Sequence, residues 1–207
     1  MPVTAKICGL STPETLDAAI KGGASHVGFV FFPPSPRHLS FDRARQLIAR
    51  VPAHVGKVGV FVDPDEDLLA GAIACGIDTL QLHKAAPERA AAMRLPVWAA
   101  VAVKTRADLA AARDFRGAVE RILYDARTPD GAALPGGMGL RFDWTLLEGF
   151  PHSMPWALSG GLDSENVAEA VRITGAELVD VSSGVESAPG VKAVDKIAAF
   201  LKATGSL

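Results

Sequence analysis

The feature that most constrains this chain is an alternation, in which short apolar runs suited to strands are each followed by a segment with helical signals, eight times over 207 residues. Short apolar runs bounded by turn residues are strand candidates, and apolar residues three and four apart mark a helix face. Residues 3–7 form the first strand. Thr12 then offers a cap, Pro13 fits the first helical position, Leu16, Ala19 and Ile20 share a face, and Gly22 and Gly23 stop the helix. Residues 26–31, apolar on both faces, read as a buried strand, and Ser40 caps a helix carrying Ala44, Leu47, Ile48 and Val51. A strand at 55–62 leads into Asp63, Pro64, Asp65 and Glu66, a cap, a first-turn proline and a capping-box acid. Leu68, Leu69, Ala72 and Ile73 form that helix's inner face, and Gly76 ends it.

The pattern continues with strands at 79–83 and 97–103, followed by helices at about 87–93 and 106–113. A strand at 122–126 precedes a glycine-rich loop at 135–139 and a helical stretch at 142–148. The seventh strand runs from Trp156 into Gly160 and Gly161, before a helix at 164–174 that Gly175 stops. The eighth strand covers 178–182, and the last helix starts near Lys192, with Val194, Ile197 and Leu201 inward. Alternation with short connections argues for a parallel sheet, and eight units favour closure into a (β/α)8 TIM barrel. An open doubly wound sheet would want Gly-x-Gly-x-x-Gly after the first strand, whereas the chain has Cys8, Gly9 and Leu10. No linker divides the sequence, so one domain over residues 1–207 is expected.

Composition narrows the function. A net charge of -2 with scattered Lys and Arg gives no footprint for nucleic acid. The two cysteines, Cys8 and Cys75, provide neither a disulfide framework nor metal-ligand spacing, and the five histidines share none. No apolar run approaches a membrane span and no leader pattern opens the chain, which predicts a reduced, soluble, cytoplasmic protein.

In barrels of this kind, active sites are built at the carboxyl ends of the strands. Those positions hold Cys8 after the first strand, Arg37 in a proline-stiffened loop after the second, His83 after the fourth and Asp125 in the sixth. Gly160, Gly161, Ser182, Ser183 and Gly184 follow the seventh and eighth. A thiolate can act as base or nucleophile, whereas most free cysteines are small buried hydrophobes. Asp125 could cap a turn, but partial burial would raise its pKa and suit it to acid catalysis. A positioned guanidinium suits bidentate recognition of a carboxylate. Glycine- and serine-rich turns after strands seven and eight suit a phosphate, because backbone N–H groups can approach its oxygens. His83 is as readily structural as functional. Cys75 reads as a helix core residue.

With these residues in place, the chain resembles the phosphoribosylanthranilate isomerases of tryptophan biosynthesis along nearly its whole length. The resemblance is carried by residues 6–9, 28–31, 35–37, 81–83, 136–144, 159–162 with Asn166 and Val167, 180–186 and 189–192. It implies a TIM barrel that needs no cofactor and no metal, acting on a small phosphoribosyl substrate by an Amadori rearrangement. Membranes and nucleic acid play no part, and monomer and homodimer are both open. On this reading Cys8 is the general base and Asp125 the general acid. Arg37 binds the anthranilate carboxylate, His83 lies in the substrate site, and the two glycine- and serine-rich turns hold the phosphate. Three positions depart from the family pattern: Lys84 stands for Gly, Met138 for Thr and Ala193 for Asp.

Three other functions compete. The histidine-pathway isomerase performs the same rearrangement with an aspartate at the ends of strands one and five. Here those positions hold Cys8 and, after strand five, Lys104 and Thr105, with no carboxylate before Asp108. A phosphopentose epimerase would want metal ligands at the strand ends. A non-catalytic barrel binding a phosphorylated metabolite would have no use for a paired acid and base.

Overall fold

The computed structural model describes residues 2–129 and 138–207. Eight parallel strands close into a barrel in chain order: β1 (Thr4–Cys8), β2 (His26–Val30), β3 (Gly56–Val62), β4 (Thr79–His83), β5 (Val97–Val103), β6 (Arg121–Ala126), β7 (Trp156–Leu158) and β8 (Leu178–Val181). β8 closes on β1 with Lys6 beside Asp180.

Alternate residues of each strand point into the barrel, as the pleat requires. Val58, Trp98, Leu123, Ala157 and Leu178 pack there into an apolar plug. At one side of the plug the His26 ring meets Trp98 edge-on at 4.9 Å, and the Arg121 guanidinium lies 5.2 Å from the same indole. At the carboxyl end Cys8, Val30 and Val60 form a smaller apolar cluster. The plug therefore gives the barrel a solid floor and leaves the chemistry at the strand ends.

The outward residues join the main core under the helices. These are α1 (Pro13–Lys21), α2 (Phe41–Ile48), α3 (Glu66–Ala74), α4 (Pro87–Ala91), α5 (Val167–Thr174) and α6 (Val194–Thr204). Thr12 and Ser40 cap α1 and α2 as expected, each accepting a backbone N–H at 3.3 Å. For α3 the cap is Asp65, which accepts from Leu68 N at 2.8 Å, while Asp63 takes a left-handed φ of 41° in the preceding turn.

Elsewhere the helical layer is thinner than periodicity predicts. Residues Arg106–Phe115 and Trp144–Leu147 are 3-10 helices, and α5 begins three residues later than expected, at Val167. At the start of the first of these, the Asp108 carboxylate accepts the backbone N–H groups of Lys104 and Thr105 at 3.0 and 2.7 Å. A hairpin of β9 (Glu186–Ala188) and β10 (Val191–Lys192) precedes α6 and was not anticipated. Its short strands carry no periodicity signal.

Candidate active site

One cleft at the carboxyl end of the barrel is lined by Cys8, Arg37, His83, Asp125, Gly160, Gly161, Ser182 and Ser183, with Lys6 beneath and Gln81, Ser159 and Asp180 in its wall. Strand geometry explains the gathering. Cys8 ends β1, His83 ends β4, Asp125 is the penultimate residue of β6, and the glycine and serine turns leave β7 and β8.

Cys8 is buried among apolar neighbours, and burial pushes its thiol above the ordinary range; the Lys6 and Lys192 ammonium groups oppose that, and the Asp180 charge adds to it. Asp125 is pushed up to about 7, first by burial and then by the charge of Asp180, against its hydrogen bond from Ala126 N and the nearby Lys6 and Ser159. Its Oδ1 accepts from Ala126 N at 2.8 Å. A carboxyl held in this range keeps a proton near neutral pH and can still give it up, which suits a general acid.

His83 is driven down to about 4 by burial and by Lys6, so its ring is neutral at physiological pH. Its Nε2 lies 3.0 Å from the Gln81 amide nitrogen. Arg37 is buried, and its Nε and Nη2 donate to Glu186 Oε1 and Oε2 at 2.7 and 2.8 Å. Lys192 Nζ donates to the same Oε1 at 2.8 Å and to the Ser182 carbonyl at 2.8 Å. Burial raises the Glu186 carboxyl, but Arg37 and Lys192 outweigh it and hold the group below the usual carboxylate range. The unanticipated hairpin thus supplies the carboxylate that fixes the arginine's plane at the cleft wall.

The glycine turns differ in what they do. Gly160 has a φ of 91°, and an added Cβ would come within 2.8 Å of Ala126 N and 3.2 Å of Asp125 Oδ1. Gly184 is not among the cleft-lining residues. An added Cβ there would meet the Leu162 carbonyl oxygen at 1.9 Å, so it lets the loops after β7 and β8 close on each other. The glycine-rich loop read at 135–139 lies outside the described residues up to 137; Met138 and Gly139 line the cleft.

Sequence reasoning missed Lys6, Gln81, Ser159, Asp180, Glu186 and Lys192. Lys6 and Asp180 did leave a signal, as charged residues at inward positions of strands that are otherwise apolar. Lys6 Nζ donates to Asp180 Oδ1 at 2.8 Å, and the lysine is fully buried. Asp108 is engaged in capping and in an ion pair with Arg127 at 2.9 Å, and it lies outside the cleft lining. The second catalytic aspartate of the histidine-pathway alternative therefore has no counterpart here. No group of three or more His, Cys, Asp or Glu among the described residues is arranged to hold a metal ion. No helix among them is long and apolar enough to cross a membrane.

The family model for N-(5'phosphoribosyl)anthranilate (PRA) isomerase matches residues 5–203. The N-(5'-phosphoribosyl)anthranilate isomerase of Zymomonas mobilis subsp. pomaceae is 57% identical over 98% of both chains. That of Paramagnetospirillum magneticum is 52% identical over 98% of this chain and 97% of its own. Among solved structures, the enzyme from Thermotoga maritima superposes with a TM-score of 0.87 at 37% identity, covering 99% of this chain and 100% of that one. A phosphoribosylanthranilate isomerase solved in complex with reduced 1-(o-carboxyphenylamino)-1-deoxyribulose 5-phosphate gives 0.85 at 36% identity over the same shares. By this full-length match in sequence and fold, the chain belongs to the N-(5'-phosphoribosyl)anthranilate isomerase family.

Proposed function

We propose that this isomerase of tryptophan biosynthesis converts N-(5'-phosphoribosyl)anthranilate to 1-(2-carboxyphenylamino)-1-deoxyribulose 5-phosphate, with Asp125 as general acid and Cys8 as general base. Asp125 gives its proton to the ring oxygen as the C1–O bond breaks, and the nitrogen lone pair closes a protonated Schiff base at C1. That electron sink acidifies the proton on C2. The Cys8 thiolate removes it, the C2–H electrons form the C1–C2 double bond, and an enolamine results. Ketonisation moves a proton from the C2 hydroxyl to the medium and one onto C1, which completes an isomerisation with no net redox change. Arg37, backed by Glu186, faces the anthranilate carboxylate, and the turns at Gly160, Gly161, Ser182 and Ser183 receive the phosphate.

The observation that carries this reading is a buried carboxyl pushed up to about 7 and a thiol, on β6 and β1, that line the same cleft. Every residue invoked comes from one chain, so we infer that the site is complete in a monomer and in a homodimer alike. Two unpaired cysteines fit a reduced, cytoplasmic setting. Steady-state turnover of phosphoribosylanthranilate by the purified protein, followed by loss of anthranilate fluorescence, tests the assignment. Turnover with release of the ketose phosphate is expected, and its absence would overturn the reading.

A further inference from the structure

Between the acid and the base lies a buried chain of polar groups to which the mechanism above gives no role. Lys6 and Cys8 are two residues apart on β1 and share its inward face. Gly28, opposite Cys8 on β2, leaves room for both, since a Cβ there would come within 2.9 Å of Cys8 Sγ and 3.2 Å of Lys6 Cε. Lys6 Nζ is anchored on Asp180 Oδ1, and Ser159 Oγ donates to Asp180 Oδ2 at 3.3 Å. Ser159 is also within hydrogen-bonding reach of Asp125. The charged groups that face Cys8 are Lys6 from its own strand, Asp180 from β8, Lys192 from the hairpin, and Arg37, whose side chain packs against Gly9. Arg37 and Lys192 are both bound to Glu186, His83 is neutral at neutral pH, and Asp125 is pushed up to about 7.

We propose that Lys6 is a positioning residue for the base, its ammonium stabilising the Cys8 thiolate from below, and that Asp180, bridged by Ser159, ties the charge of that base to the charge of the acid Asp125. The inference rests on Cys8 and Asp125 having the roles assigned above. The physical need is specific. The reaction draws on the form with Asp125 protonated and Cys8 ionised, the reverse of their order of acidity. A thiolate among Val30, Val60 and Phe32 would be costly without a fixed cation. A lysine with no carboxylate partner would itself be costly at the centre of a barrel. Asp180 answers the second need, and its negative charge, facing Asp125, helps that carboxyl retain its proton.

The test uses the full-length protein with Cys75→Ala, so that carboxamidomethylation by iodoacetamide reports Cys8 alone, followed from pH 6 to 10 beside the pH profile of kcat/KM. Lys6→Met should move the Cys8 midpoint up by about one unit or more, which is roughly tenfold less thiolate at a given pH. It should lower kcat about tenfold or more with KM within about twofold, and part of kcat should return at high pH. Asp180→Asn should move the Cys8 midpoint down and bring the Asp125 limb of kcat/KM below its wild-type position. Opposite signs for the two members of an ion pair are not what lost packing would produce. If Lys6→Met fails to fold, Asp180→Asn carries the test. Midpoints that stay at the wild-type value in the folded variants would overturn the inference. Cys8→Ala, assayed in parallel, separates the two levels. If it is inactive while those midpoints stay put, only this inference fails, whereas an active Cys8→Ala would remove the base assignment and the inference together.

Discussion

Asp125 on β6 and Asp180 on β8 are buried aspartates in the wall of the same cleft, and their surroundings give them different work. Asp180 faces the ammonium of Lys6 at 2.8 Å. Asp125 receives a backbone N–H and is held at about 7 by burial and by the charge of its neighbour. A carboxyl pushed up to about 7 is placed to hold a proton and deliver it as the acid. Cys8→Ala and Asp125→Ala should each lower kcat by about 10²–10⁴-fold while the fold persists, read by fluorescence turnover and circular dichroism. For the wild type, kcat/KM should climb with pH to about 7, where Asp125 ionises, stay level, and fall beyond the raised Cys8 value. In Asp125→Asn the break near 7 should vanish, leaving residual activity that follows the thiol alone. Persistence of that break would show that another group sets it.

At the scale of elements, two departures from the family pattern have physical consequences, and the hairpin has a function. Lys84, after β4, has a φ of 59°, a conformation that glycine adopts without strain. Lys84→Gly should therefore be neutral or stabilising by up to about 1 kcal/mol in urea unfolding, despite glycine's entropy in the unfolded chain. Ala193 occupies the N-cap of α6 with no side chain to accept a backbone N–H. Ala193→Asp should add about 0.5–2 kcal/mol by the same measurement, and no gain would show that the helix start cannot accept a cap. The β9–β10 hairpin supplies Glu186, whose two oxygens take the edge of Arg37. Arg37→Ala should raise KM about tenfold or more with a smaller change in kcat, and Arg37→Lys should not rescue it, because an ammonium cannot span both oxygens. An unchanged KM would remove the carboxylate assignment. Sequence periodicity found the barrel strands and the capped helices. It missed this hairpin because strands of three and two residues leave no alternation to read, and it began the helix after β7 three residues early, at 164, where the Asp163 carboxylate accepts the N–H groups of Glu165 and Asn166.

For the whole molecule, pH acts on stability through groups of opposite sign. His26, His83 and His152 are all depressed to about 4, each mainly by burial, so the folded chain binds their protons less readily than the unfolded chain. Their contribution is complete above about 6.5 and is lost as pH falls toward 4. Asp125 works the other way. Its folded value near 7 exceeds the ordinary aspartate value of 3.8, so its contribution is complete below about 4 and is lost as pH rises through 7. Asp125→Asn should match the wild type in stability near pH 4 and exceed it at pH 8 by roughly 2–4 kcal/mol, measured by urea unfolding at both values. Equal stability at pH 8 would show that the carboxyl is not held out of its ordinary range.

The sequence by itself determined the barrel, because eight apolar runs alternating with helix signals have few ways to bury both faces of a parallel sheet. It also determined which strand ends carry reactive groups, since Cys8, Asp125 and Arg37 stand next to runs whose boundaries are sharp. The tertiary structure alone decided the charge partners. Lys6 and Asp180 are 174 residues apart and meet because closure sets β8 beside β1, and Arg37 and Glu186 meet across 149 residues through a hairpin with no local signal. Pairing across such distances depends on register and closure, which act on the folded backbone and leave no periodicity in the chain.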